Sequence, residues 1–252
     1  MLAKSLELVW PATCAACDRP VPEEVLFCAA CNLSINPLVA ACAGCALPRN
    51  LAAWVRDAWQ DRCGRCRRVP LAFASASAGF EYGEALAEAI LQMKHGGRRD
   101  LARRLARMLV PPLADLSGRI ELGGDDLVVP VPMHVSRLRA RGFNQALELA
   151  RWAMIGLKRA GRAKPAGGVP RLERSLLHRT HATRELGHAG PGARLAEVAG
   201  AFLVSDTGRV RGRRVLLVDD VMTTGATASE CTDALRRAGA TEVHVLVLAR
   251  AV

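Results

Sequence analysis

The sequence predicts an α/β protein, a parallel sheet with helices on both faces, preceded by a small cysteine-rich domain. Beyond residue 70, short apolar segments alternate with helix-forming segments, which is the pattern of a parallel sheet. Eight of the nine cysteines lie before residue 67. In VLLVDDVMTTGAT (215–227), an apolar run meets two adjacent acids and a threonine–glycine loop. Ligands of such sheets bind at the carboxyl ends of the strands.

The bulk composition permits a well-packed core and favours anionic ligands. The chain has 252 residues, half of them apolar, and we divide it into a domain over 1–70 and a second over 71–252. Its formal charge of +11 comes mostly from arginine, which suits polyanionic partners or phosphorylated ligands. A coding bias toward arginine, with the cations on solvated faces, explains the same charge and stays open.

The first residues, MLAKSLELVWPATC, predict a short helix and not an export signal. They resemble a lipoprotein signal ending at Cys14, but the apolar segment is too short and contains Glu7. No apolar run in the chain approaches the roughly 20 residues that cross a bilayer. We therefore expect no membrane span and a cytoplasmic location.

The eight early cysteines form four CxxC pairs, separated by 10, 10 and 17 residues. A CxxC turn directs two thiolates at one metal, and two such turns complete a tetrahedral Zn²⁺ shell. Sequential pairing is favoured over a cross-brace, because each short hairpin then closes its own loop. The two predicted structural zinc sites are Cys14, Cys17, Cys28 and Cys31, and Cys42, Cys45, Cys63 and Cys66.

Two other uses of these cysteines are open. Disulfides require an oxidising compartment, which no export signal supports, and an iron–sulfur cluster also accepts four thiolates. Few large apolar side chains occur before residue 70, so metal binding is expected to drive the folding of this part. The ninth cysteine, Cys231, shares a helical stripe with Leu235 and is predicted to be a buried, inert thiol.

The remaining elements follow from periodicity and from glycine and proline signals. Residues 71–83 predict a short strand or hairpin, 161–170 a linker, and 171–200 show no clean period. Pro111 and Pro112 predict the end of the second helix. Strands are predicted over 127–131, 214–218 and 242–248, and helices over 84–94, 98–110, 143–160 and 226–238. The segment PMHVSRLRARG before the third of these helices is predicted to be a loop.

The loop over residues 222–227 has the composition of a phosphate cradle. It enters a helix, whose free N–H groups and dipole attract an anion. Gly225 permits close backbone approach, and Thr223, Thr224 and Thr227 add hydroxyl donors. The loop lacks the lysine of a Walker-type motif, which disfavours a nucleoside triphosphate.

The two acids beside this loop suit the vicinal hydroxyls of a ribose. Asp219 and Asp220 offer acceptors only, and a diol offers two donors. A phosphate site next to a diol site describes ribose 5-phosphate, and the acids could also help to position Mg²⁺ with its waters. In the simpler alternative, Thr227 only caps the helix and the acids only end the strand, which leaves two costly carboxylates there.

VLLVDDVMTTGAT resembles the phosphoribosyl diphosphate (PRPP) signature of type I phosphoribosyltransferases. The whole chain resembles one subgroup, the ComF family of competence-associated proteins, which includes GntX-like members. The resemblance is carried by the cysteine ribbons, by LQMKHGGRRDLAR (91–103), by VVPVPMHVSRLRARGFNQALELAR (128–151) and by the signature itself. It implies a type I phosphoribosyltransferase-like sheet behind a double zinc ribbon.

The resemblance also implies roles for particular residues. Segment 130–144 matches the loop that holds pyrophosphate, with Arg141 and Gly142 at its turn, and Lys94 matches a family lysine to which no role is assigned. Mg²⁺ is expected to accompany PRPP. The implied PRPP-binding residues are Asp219, Asp220, Thr223, Thr224, Gly225, Ala226, Thr227, Arg141 and Gly142.

One segment departs from the family pattern. The mobile loop over the transferase site usually carries Gln and Asn, where this chain has Leu186 and Glu197, and Pro191–Gly192 interrupt it. Such a lid supplies desolvation and charge stabilisation. The departure favours binding over turnover, and no catalytic base is identified.

Two functions therefore compete. In the first, the chain transfers ribose 5-phosphate from PRPP to an acceptor, which nothing in residues 71–125 identifies. In the second, favoured here, it acts in DNA uptake or nucleic-acid handling, with DNA-uptake proteins and single-stranded DNA as partners. The ribbons and the arginine-rich helix over 98–107 would contact the strand. Stacking partners are few, because Trp54, Trp59 and Phe73 are the nearby aromatic candidates.

Overall fold

The computed structural model describes residues 12–50, 62–160, 168–181 and 200–252. Within these ranges the chain forms a five-stranded parallel sheet with helices on both faces, and two cysteine clusters pack beside it. In chain order the elements are α1 (Ala29–Asn32), α2 (Gly64–Arg68), β1 (Ser75–Glu81), α3 (Glu84–His95), α4 (Arg99–Arg119), β2 (Leu127–Pro130), α5 (Val135–Arg141), α6 (Gln145–Arg159), β3 (Arg171–Leu172), β4 (Leu177–Arg179), β5 (Phe202–Val204), β6 (Arg214–Met222), α7 (Ala226–Arg237) and β7 (Glu242–Arg250).

The sheet has the order β1-β7-β6-β2-β3, and its strand pairs are parallel. Alternate residues of β6 lie on opposite faces of the sheet. Leu216 and Val218 pack with α3, α4 and α6, and Val215 and Leu217 pack with α7. This alternation explains the continuous apolar run in the sequence, because a strand covered on both faces has no solvated side. The predicted fold class is confirmed.

The cysteine-rich segment is joined to the edge of the sheet. Backbone bonds run from Leu38 N to the Gly79 carbonyl and from Glu81 N to the Asn36 carbonyl, both at 2.9 Å. A third bond, also 2.9 Å, runs from Ala76 N to the Ala43 carbonyl. The outer edge of β1, opposite β7, therefore forms backbone hydrogen bonds with this segment. This limits its pairing with other chains.

The predicted end of the second helix at Pro111 is wrong, since α4 continues through both prolines to Arg119. Each proline removes one backbone hydrogen bond. The apolar stripe nevertheless continues through Leu109, Leu113 and Leu116, which are almost fully buried. Burial of these side chains on both sides of the prolines offsets the lost bonds.

Several boundaries differ from the predicted ones. The segment predicted as a loop after β2 contains the short helix α5. Of the two alternatives predicted for residues 71–83, the structure has the short strand, β1, which pairs with β7. In the region without a clean period, β3 joins the main sheet, and β4 pairs with β5 in a small antiparallel sheet. The predicted helix over 1–14 and the side chains of Trp54 and Trp59 lie outside the described residues, apart from residues 12–14.

Candidate functional site

The two acids lie inside strand β6, not beyond its end. β6 pairs with β2 only as far as Val218, opposite Pro130, but pairs with β7 as far as Met222, opposite Arg250. The predicted strand end at Val218 is therefore wrong, because pairing with β7 extends the strand by four residues past the apolar run. Toward β2 the acids extend past the last paired residues, so they line the carboxyl edge of the sheet on that side.

Lys94 supplies the cation of this site. Its ammonium forms an ion pair with the Asp220 carboxylate. Lys94 is in the last turn of α3, and its side chain is 22% exposed, against 4% for that of Asp220. Ile90 and Met93, which precede it on the same face, are completely buried. Helix α3 thus carries the lysine across the sheet face to the acid.

Burial and one shared cation give the two acids opposite protonation behaviour. Burial, followed by repulsion from Asp220, raises the pKa of Asp219 well above its ordinary value. Burial also raises the pKa of Asp220, but the Lys94 ammonium and a hydrogen bond from Asp219 lower it by more, so the net shift is downward. Of the two acids, Asp219 is therefore the one whose ionisation is opposed, and Asp220 N donates to Asp219 Oδ1 at 2.9 Å.

The predicted pyrophosphate segment reaches this pair through Gln145. Arg141 Nη1 donates to Gln145 Oε1 at 2.8 Å, and a hydrogen bond from the Gln145 side chain further lowers the pKa of Asp220. Gly142 ends α5 with φ +81°, a conformation that favours glycine. Asn144 then caps α6 by accepting from the N–H groups of residues 146 and 147. Arg141 and Gly142 thus lie on the turn that leads to the acid pair.

The predicted phosphate loop ends at the first turn of α7. Gly225 is the N-cap residue, with φ +85°, and contributes no capping side chain. A Cβ at this position would lie 3.3 Å from Leu71 Cδ2 and 3.5 Å from Phe73 Cζ. Glycine is therefore required here by the backbone conformation and by the buried wall behind it. The expected reason, close approach of a ligand, is not what these contacts show.

The threonine hydroxyls of the loop do not fit the simpler alternative, in which Thr227 caps the helix. Thr227 lies inside α7 and is not its cap, whereas Thr224 Oγ1 accepts from Ala226 N at 3.3 Å. Thr223 is exposed, Thr224 and Thr227 are half-buried, and Ala226 is buried. Threonine hydroxyls and the first N–H groups of a helix thus lie close to the acid pair along the chain.

The eight early cysteines form two tetrads, grouped as the sequential pairing predicts. In each tetrad the four sulfur atoms lie within 4.8 Å of one another. The Cys17–Cys28 and Cys42–Cys66 sulfur distances are 3.8 Å, and Cys45–Cys63 is 3.6 Å. Thiolates about 2.3 Å from a tetrahedral zinc ion lie about 3.8 Å apart, so the two tetrads fit structural zinc.

Backbone groups support the tetrads. Cys28 N donates to Cys14 Sγ at 3.3 Å, and Cys63 N donates to Cys42 Sγ at 3.1 Å. Such N–H···S bonds orient thiolates and reduce the charge they bring together. Cys231 lies apart from both tetrads on the buried face of α7, and burial raises the pKa of its thiol as expected for an inert cysteine.

The arginines at the start of α4 form contacts with other parts of the fold. Arg98 pairs with Asp100 and Asp18, and Arg99 pairs with Glu148. Arg103 stacks over Trp152, 4.8 Å from the ring centroid, and Arg104 donates to the carbonyls of residues 13 and 25. The arginine-rich helix predicted to contact DNA thus anchors the first cysteine tetrad and α6.

The residues of the predicted lid, Leu186, Glu197 and Pro191–Gly192, lie outside the described residues. Sequence reasoning assigned no role to Lys94, although its position four residues after Ile90 placed it on the buried stripe of α3. Arg250 was also missed, and no sequence signal singles it out. In the parts of the chain that the structure describes, no helix is both long enough and apolar enough to cross a membrane.

Two family models match the chain. Residues 5–67 match the double zinc ribbon domain, and residues 166–251 match the phosphoribosyl transferase domain. The chain thus joins a double zinc ribbon to a phosphoribosyltransferase domain, as the sequence predicted. The ribbon match and the two tetrads together support structural zinc.

Similar proteins extend this result over most of the chain. The DNA utilization protein YhgH of Escherichia coli O6:H1 (strain CFT073) is 29% identical over 192 residues, 75% of this chain and 77% of that protein. Competence protein F of Haemophilus influenzae is 29% identical over 198 residues, 77% and 80% of the two chains. The resemblance to competence-associated proteins is confirmed. A glutamine PRPP amidotransferase from B. subtilis aligns at 26% identity, over 58% of this chain and 25% of that chain, with a TM-score of 0.33.

Proposed function

We propose that this protein binds a phosphorylated ribose, either ribose 5-phosphate or PRPP, at β6 and the loop that follows, and that it acts in DNA uptake or nucleic-acid handling. The acid pair carries this proposal. Asp219 and Asp220 are adjacent and share one cation, Lys94. Two adjacent carboxyls with one shared cation are costly to the fold, which is typical of a functional site.

The ribose diol would bind at these carboxyls. Asp219 is half-buried and Asp220 is buried, so the sugar would reach Asp219 first. The diol offers two hydroxyl donors, and the carboxyl oxygens of the pair offer acceptors for them. Lys94 keeps Asp220 ionised in the absence of ligand, so that one acceptor is already formed.

The 5-phosphate would bind at the start of α7. The loop over 223–227 offers threonine hydroxyls and helix N–H groups, and residues 226 and 227 begin the helix. Thr223 follows Asp220 by three positions, so the proposed diol and phosphate sites are close enough along the chain for one sugar phosphate to reach both. Thr223, Thr224, Gly225, Ala226 and Thr227 are the proposed phosphate residues.

The diphosphate of PRPP would extend toward Arg141 and Gly142. Arg141 is joined to Asp220 through Gln145, so its guanidinium lies near the acid pair and would be available to a diphosphate. Asp220 is already neutralised by Lys94, so the two acids offer little charge for a divalent cation. We propose that Mg²⁺ arrives on the diphosphate of PRPP, with water completing its shell and the acids beside it.

Several further assignments rest on the family match. We propose that each cysteine tetrad holds one structural Zn²⁺, with all four positions filled by thiolate and none open to a substrate. The names of the similar proteins, competence and DNA utilization, support a role with DNA, and we propose that it is cytoplasmic, with single-stranded DNA and DNA-uptake proteins as partners. The charge of +11 suits contact with a nucleic-acid backbone.

The test is a calorimetric titration of wild type and of an Asp219→Asn/Asp220→Asn double variant, with Mg²⁺ held constant. Ribose 5-phosphate should bind at least ten-fold more weakly to the variant, because hydrogen bonds to charged groups are worth roughly 1.5–3 kcal/mol each. Inorganic phosphate needs only the loop, so its weak binding should persist. Equal affinity of both proteins for ribose 5-phosphate would show that the carboxyls do not bind the sugar.

The alternative is an active transferase that moves ribose 5-phosphate from PRPP to an acceptor. The match to the phosphoribosyl transferase domain favours it, since the matched range of 166–251 includes the lid region. The two functions differ in turnover. Pyrophosphate release from PRPP in the presence of nucleobases or single-stranded DNA would support the transferase, and PRPP binding without release would support the binding function.

A further inference from the structure

The carbonyl groups of the phosphate loop are held by arginines. A loop that binds phosphate through its N–H groups must direct its carbonyls away from the ligand, and those carbonyls then need donors. Arg250 Nη1 donates to the Met222 carbonyl at 3.0 Å and also to that of Thr223. Arg65 Nη2 donates to the Thr224 carbonyl at 3.4 Å. Three consecutive carbonyls are therefore bound by two guanidinium groups.

Both arginines are tied to the second cysteine tetrad (Cys42, Cys45, Cys63 and Cys66). Arg65 lies between Cys63 and Cys66, and Arg250 Nε donates to the Cys45 carbonyl at 2.9 Å. Arg250 is 1% exposed, so it has almost no access to water with which to replace these bonds. The tetrad thus fixes the direction of both guanidinium groups.

Apolar contacts join the same two parts. Leu71 packs against the second tetrad, and its Cδ2 lies 3.3 Å from the Cβ position of Gly225. The first tetrad is attached elsewhere: Gln92 of α3 donates to the Ala16 carbonyl at 3.1 Å, and Arg104 of α4 donates to the Thr13 carbonyl at 2.9 Å. The two tetrads thus support different parts of the molecule.

We propose that Arg65 and Arg250 are positioning residues for the phosphate loop, and that metal in the second tetrad holds them in place. This inference rests on the proposed function, since it concerns how the same loop presents its N–H groups to a phosphate. It gives the second ribbon a direct connection to the phosphate loop, whereas the first ribbon is attached to α3 and α4.

The residue test compares Arg65→Ala with Arg68→Ala, which removes the same charge from an exposed position three residues away on α2. Arg65→Ala should weaken ribose 5-phosphate binding roughly ten-fold, as expected for one charge-assisted hydrogen bond. Arg68→Ala should leave it within two-fold, and Arg65→Lys should recover part of the loss because it retains a charged donor. Loss of affinity in both alanine variants would indicate a general charge effect and overturn the inference.

The metal test compares Cys66→Ser with Cys31→Ser, which are the last cysteines of the second and first tetrads. Both variants should lose one zinc ion, but only Cys66→Ser should lose ribose 5-phosphate affinity. In the Cys66→Ser protein, adding Arg65→Ala should have little further effect, because the arginine is no longer held. If Cys66→Ser does not fold, the Arg65 series decides alone.

The outcomes separate this inference from the proposed function. If wild type binds ribose 5-phosphate and the double Asn variant does not, while Arg65→Ala and Cys66→Ser both bind normally, the binding site is correct and the positioning role is wrong. If wild type binds neither ribose 5-phosphate nor PRPP, the proposed function fails and the positioning role fails with it.

Discussion

The pKa values of Asp219 and Asp220 shift in opposite directions although they are neighbours on one strand. The difference arises because burial and repulsion from Asp220 raise the pKa of Asp219, while the ion pair with Lys94 helps to lower that of Asp220. The sequence indicates two acids next to a phosphate loop, but not which of them has the raised pKa. That property depends on a helix more than 120 residues earlier in the chain, and no local pattern reports it.

A pH-dependent stability follows from the raised pKa of Asp219. A carboxyl whose folded pKa lies above its unfolded value destabilises the fold increasingly as pH rises above that unfolded value. Asp219→Asn removes the cost, so it should raise the melting temperature more at pH 8 than at pH 4.5. The expected gain is about 2–4 °C for each kcal/mol in a chain of this size. Asp220 is present in both proteins and acts in the opposite direction.

The measurement is thermal unfolding followed by circular dichroism at both pH values. The quantity to compare is the melting temperature of Asp219→Asn minus that of wild type. If this difference is the same at pH 4.5 and pH 8, the pKa of Asp219 is not raised. The same variant should bind ribose 5-phosphate more weakly, which would place stability and binding in opposition at one residue.

Gly225 and Gly142 form a matched pair for a second test. Both have φ near +80°, but a Cβ at Gly225 meets Leu71 and Phe73, whereas none of the described atoms lies within 4 Å of a Cβ at Gly142. Gly142→Ala should cost about 1–2 kcal/mol for backbone strain alone. Gly225→Ala should cost more, and the difference measures the packing behind the loop. Denaturant unfolding measures the free energy of unfolding of both variants. Equal losses would contradict close packing of Leu71 and Phe73 against Gly225.

At the scale of elements, periodicity predicted most helices and strands of the described residues to within a few positions. The failures have particular causes. Pro111 and Pro112 suggested an end to α4 because local rules do not include the burial of Leu113 and Leu116. The strand β6 is longer than its apolar run because it continues to pair with β7 as far as Met222. Short strands such as β3 and β4 carry too few residues to show a period.

Metal content tests the two ribbons as separate elements. Elemental analysis of protein purified without added metal should find two zinc ions per chain. Cys14→Ser and Cys63→Ser should each remove one, because each belongs to a different tetrad. A metal content near zero, or the visible absorbance of an iron–sulfur cluster, would contradict zinc. Loss of both ions from either single variant would contradict independent sites.

At the scale of the whole molecule, the first cysteine tetrad shares an apolar cluster with helices of the sheet domain. Cys14, Phe27 and Cys28 lie in the same apolar cluster as the buried leucines of α3 and α4. Removing the ribbons would therefore expose part of the main core. The sequence predicted the ribbon from cysteine spacing, but it could not predict this packing, because the residues involved are few and far apart.

The nucleic-acid role predicts a strong dependence on salt. Binding of single-stranded DNA should weaken steeply as salt rises, since backbone contacts release counterions. Replacing Arg98, Arg99, Arg103 and Arg104 with Gln is a poor test of contact, because these side chains also form ion pairs, a ring contact and hydrogen bonds within the fold. We expect that variant to melt earlier than wild type. Fluorescence anisotropy at several salt concentrations tests wild type directly, and affinity independent of salt would contradict backbone binding.

The sheet order has a consequence for synthesis of the chain. β1, near residue 75, pairs with β7, which ends at Arg250 and also lies against β6. During translation β1 therefore remains without its main neighbour until more than 160 further residues have been made. Such non-local pairing slows folding. Residues 36–43 precede β1 in the chain and bond its outer edge in the folded protein, so that edge can be covered early, whereas the edge that pairs with β7 stays open until β7 has been made.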